Sequence, residues 1–365
     1  MVAMEGRVSR GRLSDLGFSI GRLPPGPLNA ITDVAGVRVG HVTLWEDTPA
    51  VVRTGVTAID PFIDPCWQEN LFAGVHCLNG FGELTGAYWI DECGILTSPI
   101  VLSSTFSLGV LRDTMLAHPM RRGEPRRFHQ PVCGETNDGL LNDGLAQAIR
   151  PEHVELALET ASGGRVEEGC VGGGAGMICH EFKGGIGTAS RRVGNVGAAY
   201  TVGVLAQTNY GRRSDLRIDG VPVGLEIGYD VAPSIRQREE GSIVIVVATD
   251  APLLPQQCAR LARRAALGLG RVGGFGGNTS GDFILAFSTA NRFPAMPTAV
   301  VGGLSMLPND QMDPIFQGVV EATEEAIVNS MVAADTTHGR TGVAVELPHE
   351  LLIAAMERHG RRRAP

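Results

Sequence analysis

Residues 243–248 read Ile-Val-Ile-Val-Val-Ala, six apolar side chains without a polar break. Side chains alternate across a β-strand, so a strand with one wet face shows a polar residue at every second position. This run shows none and predicts a strand buried on both faces. What precedes it is opposite in character. Residues 232–240 (Ala-Pro-Ser-Ile-Arg-Gln-Arg-Glu-Glu) are polar and charged and predict an exposed loop. The two meet at Gly241-Ser242 with no gradual entry: a solvated loop, a Gly-Ser step, then the core.

Patterns elsewhere fill in a mixed architecture. Alternating stretches predict strands with a glycine turn in 27–45, and further strands in 51–63, 195–208 and 283–289. Helical spacing predicts helices over 107–118, 252–269, 315–333 and 348–359. In the second of these Leu254, Cys258, Leu261, Ala265 and Leu269 share one face. A further helix is expected over 138–149, with Asn137 or Asp138 as its cap. Strands and helices mix without regular βα alternation, which favours an α+β layered fold over a doubly wound sheet. At 365 residues the chain is long enough for one large domain or two ordinary ones.

Charge and composition narrow the function. The net charge is −8 and the pI about 5.6, against a nucleic-acid or membrane-surface protein. Seven cysteines, an odd number without a C-x-x-C, exclude a zinc ribbon and argue against a secreted disulfide framework. Residues 1–21 lack the apolar core of a signal peptide, so a cytoplasmic location is expected. The nine histidines form no H-E-x-x-H and no Asp/His cluster, and no metal or organic cofactor is expected. His180 reads as a structural histidine. Gly268–Gly273 matches G-x-G-x-x-G, but a helix precedes it where a nucleotide site needs a strand. Gly172–Gly176 lacks the Gly-Lys-Ser/Thr of a P-loop and reads as a packing turn.

No G-x-S-x-G stands in a strand–turn–helix context, so any nucleophilic chemistry here does not take its base from histidine. A serine hydroxyl needs an adjacent base. The residue's own α-amino group, titrating at about 7.7–8.0, can serve once the chain is cut before it. Gly241 has little bulk and tolerates strained geometry, which suits a hydroxyl attacking the preceding carbonyl. Taken alone, a Gly-Ser step is more often a turn.

Longer strings decide how to read it. They are Leu28–Val34 (LNAITDV), Asn79–Gly86 (NGFGELTG), Gly134–Gly139 (GETNDG) and Cys179–Thr188 (CHEFKGGIGT). Asn209-Tyr210-Gly211, Asp215-Leu216, Gly241-Ser242-Ile243, Ala248–Leu253 (ATDAPL) and Asn278–Asp282 (NTSGD) follow in order. With these, spread over roughly 30–340, the chain resembles the DmpA family of self-processing aminopeptidases, peptidase family S58. That family includes L-aminopeptidase/D-amidase-esterases and β-peptidyl aminopeptidases.

The resemblance implies a four-layer αββα sandwich in one domain, 1–365. Its architecture is that of the N-terminal-nucleophile hydrolases with a different strand connectivity. It implies self-cleavage between Gly241 and Ser242, giving an α-chain 1–241 and a β-chain 242–365. Ser242 becomes the nucleophile and Asn209 the side-chain oxyanion donor, with Ser280 and Asp282 as supporting groups. Some relatives carry glutamate where Asp282 stands, and the shorter side chain is expected to need a water to reach. Glu135 is expected to receive the substrate's ammonium, its plainer reading being a carboxylate at a helix start. Asn142 and Asp143, one turn inside that helix, are expected to support it. Leu140 stands where the founding member type has a tyrosine and cannot donate a hydrogen bond. The implied substrates are short peptides, amides or esters, and the implied assembly is a homo-oligomer of αβ units. The rivals are an amidase or acyltransferase acting on a pantetheine-like amide, and an uncleaved, non-catalytic binding protein on the same fold.

Overall fold

A computed structural model describes residues 10–63, 65–123, 128–195, 198–236 and 241–361. Two sheets carry the fold. The first has the order β1 (Arg38–Glu46), β2 (Val52–Asp60), β5 (Ile100–Ser104), β6 (Val132–Thr136). The second has the order β4 (Ile95–Leu96), β3 (Glu69–Gly80), β12 (Ser280–Pro294), β11 (Gly241–Thr249), β10 (Ala198–Asn209), β9 (Ile186–Asn195). Two short hairpins, β7 (Ile178–Cys179) with β8 (Phe182–Lys183) and β13 (Thr337–His338) with β14 (Val343–Ala344), complete the strands.

Among the described residues only β5/β6 and β11/β12 are parallel. A parallel pair needs a crossover, and both crossovers are helical. Helix α2 (Leu108–Arg121) joins the first pair and α5 (Pro255–Val272) the second. Each helix lies on the outer face of its own sheet. With α3 (Pro151–Glu159) beside α2 and α6 (Asp313–Val332) beside α5, the layers run α-β-β-α. Helices α1 (Ala87–Cys93), α4 (Val223–Glu226) and α7 (His349–Arg358) lie at the margins.

The apolar run behaves as its composition requires. Ile243, Ile245 and Val247 of β11 pack under α5 and α6 with Leu261, Ala265, Val319 and Ile327. Val244, Val246 and Ala248 face the other way, onto Ile59, Ile100 and Leu102 of the first sheet. The outer face of that sheet gives Val56, Ala58 and Val101 to Leu111 and Met115 of α2 and to Val154 of α3.

Three expectations need correction. No helix spans 138–149. The N–H groups of Leu141 and Asn142 both donate to the Asp138 carbonyl in a turn, and a short 3-10 turn follows at Gly144–Ala146. Two glycines interrupt the segment, and the helix starts only at Pro151, whose fixed φ suits the first helical position. Asp138 and Asn142 spend their side chains inside the protein instead of on a cap. Next, the strand expected over 27–45 begins only at Arg38, after a turn at Ile31–Asp33 in which Asp33 accepts from the N–H groups of Leu28 and Ala30. Finally, the strands β3 to β9, β13 and β14 and the helices α1, α3 and α4 have no counterpart in the expected elements. Of the expected loop, residues 232–236 have no regular secondary structure, and 237–240 lie outside the described residues.

Both glycine strings behave as packing devices. Gly268–Gly273 closes α5, with Gly273 left-handed at φ 108°. His180 is structural as expected, its Nδ1 bonded to the Arg212 carbonyl at 2.8 Å and its pKa lowered by burial to about 4.

Helix α6 sits close enough on β9 that a methyl group at Gly187 would lie 1.9 Å from the Ala326 carbonyl oxygen. Gly187→Ala is therefore expected to destabilise the fold by about 1–3 kcal/mol or more. A lowered urea midpoint at unchanged slope is the measurement that checks it.

Candidate active site

The site forms where strand ends from both sheets meet. In the second sheet Ser242 is the register partner of Asn209 on antiparallel β10. Gly241 is the partner of Ser280, and Ser242 of Gly281, on parallel β12. In the first sheet β6 delivers Glu135 and, just past its end, Asn137. Ser242, Asn209, Asp282 and Glu135 are 3%, 4%, 2% and 5% exposed.

Two N–H donors converge on the Ser242 hydroxyl. The Asn209 side-chain Nδ2 lies 3.3 Å from Ser242 Oγ, and the backbone N of Asn137 lies 3.2 Å from it. The Asn209 amide is held on every side. Its Nδ2 also donates to the Asn137 carbonyl at 2.8 Å. Its Oδ1 accepts from the backbone N of Ile178 and from Arg236 Nη2, each at 3.1 Å. An amide flip would set its NH2 against two donors, so the orientation is determined by its neighbours.

Ser280 and Asp282 form the other flank. Ser280 Oγ donates to Asp282 Oδ1 at 2.5 Å. Burial pushes the Asp282 carboxyl up, and the Ser280 bond opposes the shift. The side-chain amide of Asn79 donates to the Ser280 carbonyl. A Cβ at Gly241 would lie 3.0 Å from Cβ of Tyr210 and 3.2 Å from Ser280 Oγ. A side chain at residue 241 would thus press on both neighbours.

Beside the serine opens a cleft of about 570 Å³, walled by Glu135, Glu83, Leu108, Leu140, Thr279 and Arg236 among others. Glu135 sits in strand β6, not at a helix start as its plainer reading had it. Its Oε1 accepts from the backbone N of Glu83 at 3.0 Å and its Oε2 from the hydroxyl of Thr105. Burial raises its pKa, and these two bonds oppose the rise. The Leu140 carbonyl accepts from the Thr341 hydroxyl at 2.7 Å, and the residue lines the cleft beside Leu108 and the polar groups. Asn142 does not line the cleft. It lies behind the wall, where its Oδ1 accepts from the backbone N of Arg53 at 3.0 Å and its Nδ2 donates to Asp138 at 3.2 Å. With the 138–149 helix absent, nothing brings it or Asp143 to Glu135. The sequence assigns no part in the site to Arg236, Thr105 or Glu83, and reads Asn137 only as a candidate helix cap. Among the described residues, no group of three or more His, Cys, Asp or Glu side chains is arranged to hold a metal ion.

A serine hydroxyl between two fixed N–H donors, with a buried carboxylate across a cleft, is equipment for acyl transfer. Comparison with known proteins agrees. The profile of peptidase family S58 matches residues 29–345. The chain belongs to peptidase family S58. It is 44% identical to the beta-peptidyl aminopeptidase BapA of Sphingosinicella microcystinivorans, over 96% of this chain and 93% of that protein. Among solved structures, a Burkholderia sp. beta-aminopeptidase superposes with a TM-score of 0.91 at 47% identity, covering 96% of this chain and all of that one. The L-aminopeptidase D-Ala-esterase/amidase of Ochrobactrum anthropi does so at 0.87 and 39%, covering 96% and 99%. That structure is described as a prototype for the serine aminopeptidases and a variant of the Ntn-hydrolase fold. The S58 chain is accordingly a hydrolase, a serine aminopeptidase with the DmpA-like αββα sandwich.

Asp138 lies under this S58 site, accepting from Ser104 Oγ at 2.6 Å as well as from Asn142. Burial outweighs these bonds and raises its pKa from 3.8 to about 6. Below about pH 4 the group is protonated in both folded and unfolded chains. Above about pH 6 it is ionised in both, and the folded state carries the cost. Stability contributed by the neutral acid is therefore lost as pH rises through that window. Asp138→Asn is expected to gain on the parent from pH 4 to 6 and then hold level, by about 2–3 kcal/mol at most. Denaturant midpoints of both proteins across pH 4–8 check this.

Proposed function

We propose that the protein is made as one chain that cuts itself between Gly241 and Ser242 and then works as an aminopeptidase on short peptides. The observation that carries the reading is the Ser242 hydroxyl held between the Asn209 amide and the Asn137 N–H at the edge of the cleft. In the first event Ser242 Oγ attacks the Gly241 carbonyl carbon and the C–N bond breaks, leaving an ester and a free α-amine. Water then hydrolyses the ester, releasing a carboxylate on Gly241 and the hydroxyl of Ser242.

In the cut enzyme the neutral α-amine of Ser242 takes the hydroxyl proton as Oγ attacks the substrate carbonyl. The developing oxyanion receives hydrogen bonds from Asn209 Nδ2 and Asn137 N–H, neutral donors that do not titrate. The proton passes to the leaving amine, and water releases the acyl group. Glu135 pairs with the ammonium of the substrate, which limits the enzyme to chain ends. Ser280 and Asp282 orient the amine of Ser242. The two relatives named for β-peptide or β-amino chemistry are more similar than the one named for L-amino acids, so peptides with an N-terminal β-amino acid rank first as substrates. The halves stay together as one αβ unit, because β11 and β12 of the second piece lie between β3 and β10 of the first. These αβ units assemble as a homo-oligomer.

A denaturing mass spectrum of fresh protein tests the reading. Two chains are expected, one starting at Ser242, with Ser242→Ala intact and inactive. An uncut 38.5 kDa parent chain would overturn it. In the cut enzyme Asn209→Ala is expected to lower kcat about 100- to 1,000-fold. Glu135→Gln is expected to act mainly through KM for substrates with a free amine, with little change in the melting temperature.

A further inference from the structure

Arg236 lies five residues before Gly241, in a segment whose composition reads as a solvated loop. Its side chain does not behave as a surface charge. One guanidinium nitrogen, Nη2, lies 3.1 Å from Asn209 Oδ1, 3.1 Å from the Ile178 carbonyl oxygen and 3.4 Å from the Asn209 carbonyl oxygen. The same residue helps wall the cleft. A cation therefore sits on the oxygen end of the amide whose nitrogen end faces Ser242 Oγ.

We propose that Arg236 is a positioning residue for the oxyanion site, acting through Asn209. The inference rests on the reading of Asn209 as oxyanion donor. Two physical effects follow from the contact. A charge-assisted bond to Oδ1 holds the amide plane more firmly than a neutral donor would. It also draws electron density toward Oδ1, so the N–H bonds at Nδ2 become better donors to a developing negative oxygen. Lysine reproduces this only in part, because its ammonium is a more strongly hydrated point charge on a flexible stem and is held less firmly against the same oxygens. Arg236 also stands upstream of the cut. The tail of the first piece would thus carry part of the machinery serving the nucleophile of the second, and trimming it back past Arg236 would cost rate after self-cleavage is complete.

A double-mutant cycle decides the matter. Arg236→Met, Asn209→Ala and the double variant are compared with the parent as cut enzymes, with kcat and KM measured separately and melting temperatures recorded. Arg236→Met is expected to lower kcat about tenfold with KM within about twofold. The double variant is expected to match Asn209→Ala alone, since the arginine has nothing left to position. Arg236→Lys is expected to fall between parent and Arg236→Met. Where Arg236→Met does not fold, the same cycle is run with Arg236→Lys, read also on the rate at which the Ser242 N-terminus appears. Multiplying losses in the double variant would overturn the proposal, as would parental kcat in Arg236→Met. So would a rise confined to KM, which would mean that Arg236 touches substrate. The failures are distinguishable: full activity in Asn209→Ala defeats the oxyanion reading itself, whereas a slow Asn209→Ala beside a parental Arg236→Met defeats only the role of the arginine.

Discussion

The site depends on the register of β11. A strand buried on both faces cannot slip by one residue without driving each side chain to the opposite layer. Ile243, Ile245 and Val247 are committed to the helices, and Val244, Val246 and Ala248 to the other sheet. That commitment pins Ser242 opposite Asn209 on one side and Gly241 opposite Ser280 on the other. The core thus sets the catalytic geometry with a rigidity no surface loop could supply. Ser242 stands at the first buried position of β11, next to the half-buried Gly241.

The first sheet must be held in step with the second, because it supplies the Asn137 N–H and Glu135. Gln207 does this from β10. Its Nε2 donates to Thr136 Oγ1 at 2.7 Å and to the Ser103 carbonyl at 2.9 Å, fully buried between the sheets. A buried amide is costly unless bonded, so the two sheets are tied where mismatch would be most expensive. Gln207 and Asn209 point the same way along β10, two residues apart. One ties the sheets together, and the other reaches the serine at their edge.

How much of this could be read from the sequence follows from what letters encode. Burial on both faces of 243–248 and the amphipathic spacing of 252–269 are periodicities, and both elements form where expected. Ser242, Asn209, Ser280, Asp282 and Glu135 were legible through ordered strings, and strand register brings the first four together. The segment 138–149 misled because Asn137 and Asp138 satisfy a capping pattern, while the burial of Asp138 beside Ser104 is a tertiary fact. Asn142 fell with that helix. The Asn137 contribution is a backbone N–H, which any residue but proline possesses, so no residue type announces it. Arg236 sits among charges that read as solvated, and only the fold reveals its contact with the amide.

The charge layout separates two tasks. At the nucleophile the donors are neutral amides, which keep the same charge at every working pH. Across the cleft Glu135 is buried, and burial alone would favour its neutral form. The Thr105 hydroxyl and the Glu83 N–H both donate to it and favour the carboxylate. An arriving ammonium adds a third favourable partner, and it does so where water is scarce enough for the attraction to count. In the proposed function, recognition of a chain end and stabilisation of the oxyanion therefore rest on different physics, joined by the short path from Glu135 to Asn137. In the proposed reaction the amine is held at Glu135 and the carbonyl at the Asn137 N–H, two residues apart in the chain, so binding the free N-terminus and aiming the scissile carbonyl are coupled.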